Sequence, residues 1–191
     1  IVEKRNDKVK FFDNIDPLGF ANFFKEIEIK STGFIFISKS GSTPETLCQL
    51  SCLIELFDIK KILDIFFKNS LFITENKNSS LFNIAKQNGS KILYHPKNIG
   101  GRYSVFSNVG MVPAILANMD VKKIHEGAKE EIKNYLNSSY LKIGQYFRYQ
   151  NINKELSMSV IMTYSDRLYF FGKWYLQLWA ESLGEDQKGI T

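Results

Sequence analysis

Three short apolar runs, spaced by helical patterns, limit this chain's fold more than any other feature. Gly33-Phe34-Ile35-Phe36-Ile37 is continuous in apolar residues. Such a run suits a strand buried on both faces, as in a parallel sheet. Leu71-Phe72-Ile73-Thr74 and Lys91-Ile92-Leu93-Tyr94 read as the next strands. Between them, Pro44 and Glu45 open a long helix reaching about Phe67, and Leu81 to Gln87 reads as a short helix ended by Asn88-Gly89. Alternating strand and helix predicts an α/β fold with a doubly wound parallel sheet flanked by helices.

The flanks extend this pattern. Val9-Lys10-Phe11-Phe12 is a strand candidate, and Asp16 can cap a helix with Pro17 at its first position. That helix runs to about Ile29, with Phe20, Phe23, Phe24 and Ile27 on one face. Beyond a Gly-containing loop from His95 to Tyr103, helices are predicted over Ser107 to Asn118, Lys122 to Tyr135 and Lys142 to Tyr149. Ser157-Met158-Ser159-Val160-Ile161-Met162 reads as a fresh strand and Asp166 to Leu183 as a long helix, so a new α/β unit is expected near Ser157.

Composition narrows the function classes. Hydrophobic residues make up 44% of 191, with 16 Phe and 9 Tyr, enough for a sizeable core. The net charge is +5, but the Lys residues are scattered over helix faces, which reads as solvated charge rather than a nucleic-acid surface. Cys48 and Cys52 are four residues apart without accompanying metal-ligand spacing, and read as buried thiols in a reducing compartment, hence a cytoplasmic protein. No apolar run reaches the roughly 20 residues of a membrane span. The chain opens at Ile1 with neither an initiator Met nor a signal-peptide pattern, and reads as an internal piece of a longer protein.

Two loops and one helix carry candidate chemistry. Ser38-Lys39-Ser40-Gly41-Ser42-Thr43-Pro44-Glu45-Thr46 lies where a buried strand hands over to a helix. Ligands of open parallel sheets bind at that end of the strands, and a helix N-terminus there attracts anions. Ser38, Ser40, Thr43 and Thr46 can donate to phosphate oxygens, Lys39 can add charge, and Gly41 lets a backbone approach. The spacing is not that of a P-loop, which favours a sugar phosphate over a nucleoside triphosphate. An ordinary Ser/Thr cap and turn fits the spacing equally well.

Asn98-Ile99-Gly100-Gly101-Arg102-Tyr103-Ser104 sets two Gly beside one Arg, either a ligand-approach loop with a guanidinium for developing negative charge or a plain Gly turn with a surface Arg. Gln177 and Glu181 are four apart on the last helix, beside Trp174, Leu178 and Trp179. Apolar surroundings would raise a carboxyl pKa toward that of a general base near neutral pH, whereas a solvent-side Glu on an amphipathic helix has the same spacing. His95 and His125 fall in no motif and read as surface or packing residues.

The three segments together resemble the glucose-6-phosphate isomerase family of SIS-domain (sugar isomerase) proteins. Residues 37–46 are similar to the family's phosphate loop. Asn98 through Gly110 is similar to its Gly-Gly-Arg signature segment, and Tyr175 to Gly184 to the segment holding the catalytic base. The resemblance implies an SIS-type fold with 1–119 as most of a first SIS domain, 120–156 as a helical connection and 157–191 as the start of a second. It implies aldose–ketose isomerisation through an enediol. Glu181 is the implied base and Arg102 stabilises the enediolate. The implied substrate contacts are Ser38, Lys39, Ser40, Thr43, Thr46, Gly100, Gly101 and Gln177. No metal or redox cofactor is implied, and the partners are a sugar phosphate and a second subunit in a homodimer. A ring-opening His and a Lys are expected beyond Thr191, and a Gly-Ser turn before Ile1, so residues 1–191 alone are expected to be inactive. Glu185 departs from the family, which usually has Lys there. A non-catalytic SIS-domain sugar-phosphate sensor explains the Ser38–Thr46 turn equally well, but not Arg102 and Glu181 occurring together in their matching segments.

Overall fold

The computed structural model describes residues 9–25, 27–137, 144–146, 149 and 160–183. The chain divides into two compact units, residues 1–121 and 122–191.

The first unit is built on a small parallel sheet. Its strands are β1 (Phe34–Ile37), β2 (Ser70–Thr74) and β3 (Lys91–Tyr94), in the order β1-β2-β3. Phe36 stands opposite Phe72, and Ile73 opposite Leu93. Helices connect and flank the strands: α1 (Pro17–Lys25), α2 (Pro44–Ile59), α3 (Leu63–Lys68), α4 (Ser80–Gln87) and α5 (Asn108–Leu116). The predicted α/β alternation is therefore present as a mixed α/β unit around a parallel sheet.

Aromatic residues fill the core. Phe66 packs at 5.0 Å, ring centroid to centroid, from both Phe34 and Phe57, and Phe36 lies 5.1 Å from Phe72. Leu50, Leu53 and Phe57 form the buried stripe of α2, and Leu81 and Ala85 that of α4. Cys48 and Cys52 share the other side of α2 and are exposed, contrary to the expectation of buried thiols. Their four-residue spacing keeps them together but off the stripe that meets the sheet. Partial loss of solvent at the sulfur, followed by the neighbouring Cys48, pushes the Cys52 thiol pKa up although the residue as a whole is exposed.

Several boundaries differ from the sequence reading. Val9 to Phe12 forms no strand; instead the Phe12 ring rests 4.8 Å from Phe23 of α1. Asp16 does cap α1, its carboxylate accepting from the N–H groups of Leu18 at 3.2 Å and Gly19 at 3.0 Å. The helix ends at Lys25, and a 3-10 turn follows at Ile29–Ser31. The long helix expected from Pro44 to Phe67 is two helices. Lys61 takes a left-handed φ of 55°, its N–H bonds the Asp58 carbonyl, and the Ile62 N–H bonds that of Phe57. This is a Schellman closure with Lys at the position usually held by Gly.

In the second unit, α6 (Val121–Asn137) covers the predicted helix 122–135, although its first residue belongs to the first unit. Most of the helix expected over 142–149 lies outside the described residues. So do Ser157, Met158, Ser159, Glu185 and residues 188–191. Val160, Ile161 and Met162 are described and form no strand. Ile161 and Thr163 instead lie over buried Gly172, where an added Cβ would come 3.6 and 2.9 Å from their methyl carbons. Gly172 belongs to α7 (Tyr169–Leu183), which follows a 3-10 turn at Asp166–Leu168. No helix among the described residues is long and apolar enough to cross a membrane.

Candidate active site

The candidate site of the first unit lies beyond the carboxyl ends of the three strands. β1 ends at Ile37, and the chain enters a tight hydroxyl-lined turn. Ser38, only 6% exposed, shares hydrogen bonds with Thr43 at 2.7 Å and Ser40 at 3.4 Å, and accepts from the Gly41 N–H at 3.1 Å. Gly41 has φ +66°, a region L side chains rarely adopt, and its carbonyl accepts from the Leu81 N–H of α4. Ser42, which the sequence reading did not single out, donates to Ser40 from both its N–H and its hydroxyl. Serine is so ordinary in turns that its identity alone gave no signal.

Thr43 is the N-cap residue of α2, yet its hydroxyl makes no capping bond because it is engaged with Ser38. Pro44 at the first helical position has no N–H to satisfy. The remaining first-turn donors of this 16-residue helix point beside a knot of hydroxyls, an arrangement suited to an anion. Thr46 stands in the first turn of α2, apart from the hydroxyl bonds.

Lys39 leaves this turn toward the second loop. Its ammonium donates to the carbonyls of Ile99 at 2.7 Å and Lys97 at 3.2 Å, and pairs with Glu75 at 3.5 Å. Glu75 follows β2 directly, and its other oxygen pairs with Lys77 at 3.0 Å. The hydrogen bond from Lys77, reinforced by the charges of Lys77 and Lys39 and opposed by desolvation, holds the Glu75 carboxyl below the usual carboxylate range. Glu75 was not a sequence candidate, since one Glu after a strand looks like any surface carboxylate.

The Gly-Gly-Arg loop follows β3. Gly101 to Tyr103 forms a 3-10 turn in which the Tyr103 N–H bonds the Gly100 carbonyl. Buried Ser104 donates to the Gly101 carbonyl at 2.5 Å, and Ser107 donates to the Ser104 carbonyl while capping α5 through the Val109 N–H. Arg102 is half-buried on this turn. Space is open beside Gly101, where an added Cβ would meet no atom within 4 Å, whereas at Gly100 it would come 3.1 Å from the Tyr103 ring. His95 follows β3 and is buried. Its N–H extends the ladder to the Thr74 carbonyl, and its Nδ1 donates to the Pro96 carbonyl at 2.9 Å. Its burial fits the packing alternative of the sequence reading.

In the second unit, Gln177 donates to Glu181 at 3.1 Å along one exposed face of α7. Trp174, Tyr175, Leu178 and Trp179 lie on the same helix, and Tyr175 stacks on Trp179 at 5.7 Å. Glu181 stands on that exposed face, so of the two sequence readings the described residues of this unit fit the solvent-side one. Sequence neighbours on one helix share its axis, but only part of its circumference.

The sequence matches a known family over almost its whole length. The phosphoglucose isomerase profile matches residues 2–190. The chain belongs to the phosphoglucose isomerase family. Among curated relatives, it is 36% identical to a glucose-6-phosphate isomerase of Methanocaldococcus jannaschii, over 97% of this chain and 46% of that protein. It is 34% identical to one of Campylobacter jejuni, over 97% of this chain and 45% of the relative. One of Carboxydothermus hydrogenoformans is 33% identical over 92% of this chain and 39% of the relative. The chain therefore spans somewhat under half the length of these relatives. Its fold is similar to the crystal structure of a hypothetical protein from Thermus thermophilus, with TM-score 0.82 and 26% identity, over 95% of this chain and 44% of that one. The phosphoglucose isomerase match includes Arg102 in the first unit and Glu181 in the second, so both lie within one family span. Among the described residues, no group of three or more His, Cys, Asp or Glu side chains could hold a metal ion.

Proposed function

We propose that the protein interconverts glucose 6-phosphate and fructose 6-phosphate through an enediolate. The observation that carries this reading is the hydroxyl turn at the end of β1, linked through Lys39 to the backbone just before Gly100-Gly101-Arg102, in a member of the phosphoglucose isomerase family. A phosphate on that turn would exchange the mutual bonds of Ser38, Ser40 and Thr43 for bonds to its oxygens, with Thr46 and the first-turn N–H groups of α2 adding donors. Gly100 and Gly101 line the sugar's approach, and Gln177 adds a phosphate contact.

In the open-chain aldose, the Glu181 carboxylate takes the proton from C2. The C–H electron pair becomes the C1=C2 bond and the aldehyde oxygen takes up negative charge. Arg102 stabilises that charge, which exists only between the two proton transfers. Glu181 returns its proton to C1, and a hydroxyl proton passes from O2 to O1, leaving the ketose. Binding the phosphate away from the reacting carbons supplies orientation without touching the chemistry. On the same reading, 1–119 form most of a first SIS-type domain with a doubly wound sheet, 120–156 a helical connection and 157–191 the start of a second. The protein works as a cytoplasmic homodimer.

The test is fructose 6-phosphate turnover by the full-length protein and by Glu181→Gln. The variant is expected to lose roughly 10²- to 10⁴-fold in kcat while still binding fructose 6-phosphate. Saturable sugar-phosphate binding without turnover in the unaltered protein overturns the isomerase in favour of a sensor.

A further inference from the structure

Lys39 is held more completely than a phosphate-binding lysine should be. An ammonium has three donors. Those of Lys39 have three protein acceptors within reach: the carbonyls of Ile99 and Lys97 and the carboxylate of Glu75. Its backbone is fixed at the same place, since its carbonyl accepts from the Glu75 N–H at 3.2 Å and from the Thr74 hydroxyl at 3.4 Å. Glu75 is itself anchored from the far side by Lys77, and its side chain is 12% exposed. The loops after β1, β2 and β3 thus meet at one ammonium. Ile99, the acceptor at 2.7 Å, directly precedes Gly100-Gly101-Arg102.

We infer that Glu75 and Lys39 form a positioning strut, in which Glu75 orients the Lys39 ammonium and Lys39 fixes the Ile99 carbonyl and so the Gly-Gly-Arg loop. The inference rests on the isomerase reading and assigns Glu75 a part that neither the family motifs nor the hydroxyl turn give it. Its consequence is kinetic. A displaced Arg102 loses contact with the enediolate while the phosphate remains held by hydroxyls and helix donors. Damage to the strut therefore falls on kcat, with KM spared. Lys39 as a direct phosphate ligand would give the reverse.

The experiment compares full-length protein carrying Glu75→Gln, Glu75→Asp, Lys39→Met, or Glu75→Gln with Lys39→Met. Glu75→Gln and Lys39→Met are each expected to lower kcat for fructose 6-phosphate by roughly 10- to 100-fold. KM and the Kd for inorganic phosphate are expected to stay within about twofold. The double variant is expected to lose no more than Lys39→Met, because both act through one contact chain. Glu75→Asp is expected to recover part of the rate, and carries the test if a charge-removing variant does not fold. A Lys39→Met protein that weakens phosphate binding tenfold with kcat kept, or losses that simply add, overturns the strut. If the unaltered protein does not turn over the sugar, the isomerase reading fails, and amide hydrogen exchange decides the strut alone. Faster exchange over residues 97–104 in Glu75→Gln, with 71–74 unchanged, supports it; unchanged exchange over 97–104 overturns it.

Discussion

Replacing Gly41 by Ala probes the phosphate turn at its tightest point. The backbone there has φ +66°, which costs an L residue about 1–2 kcal/mol relative to Gly. The new methyl would overlap the Ser79 Oγ, and would sit 2.8 Å from the Ser79 Cβ and 3.0 Å from the Thr74 Oγ1. Comfortable contact begins near 3.5 Å. The Ser79 hydroxyl can rotate away, but it caps α4 by accepting from the Phe82 N–H, and losing a cap costs about 1 kcal/mol. The Ser79 Cβ cannot rotate, so backbone must move, at about 1–3 kcal/mol for overpacking. The sum is roughly 3–6 kcal/mol, read as a lower urea midpoint at unchanged m-value. The Gly41 N–H also serves Ser38, so displacing it loosens the hydroxyl knot. Inorganic phosphate should bind at least about tenfold more weakly, since each lost charge-assisted bond is worth upwards of 1.5 kcal/mol. A loss below about 1 kcal/mol with phosphate affinity intact would refute this account of the turn.

Phe66→Ala, which empties a fully buried site between Phe34, Phe57 and Phe67, should cost about 3–5 kcal/mol, and a cost near 1 kcal/mol would mean the core collapses around the gap. The Glu75 carboxyl, held low by its lysines, stabilises the fold fully above its unfolded pKa of about 4.3, and that stability is lost as pH falls through the lower folded value. The melting-temperature gap between the unaltered protein and Glu75→Gln should therefore be open at pH 7 and close in acid, and a gap of constant size down to pH 2 would contradict it.

What the sequence displayed and what it hid divide along physical lines. The strands were legible because Phe34, Phe36, Phe72 and Ile73 are buried together, and continuous apolar runs have few other uses. Asp16 with Pro17, and Asn88 before Gly89, acted as their chemistry dictates; Gly89 ends α4 in the left-handed region at φ +65°. The break after Ile59 was hidden because Lys60 and Lys61 are good helix formers, and only packing drives Lys61 to positive φ. Cys48 and Cys52 were misplaced because apolar character says nothing about which side of a helix meets the sheet. In the candidate site, the hydroxyls and the Gly pair were visible as local chemistry. The Lys39 contact with Ile99 was not, since it joins residues sixty apart in the chain.

β2 occupies the middle of the sheet, with Phe72, Ile73 and Thr74 wholly shielded from water. Its amides should be among the last to exchange with solvent, opening only when the unit as a whole unfolds. The hydroxyl turn and the Gly-Gly-Arg loop spring from the strands on either side of it and are joined to its end through Lys39, Glu75 and the Thr74 carbonyl. Exchange in either loop is therefore expected to be faster than in the strand that anchors it, so local opening there need not disturb the sheet.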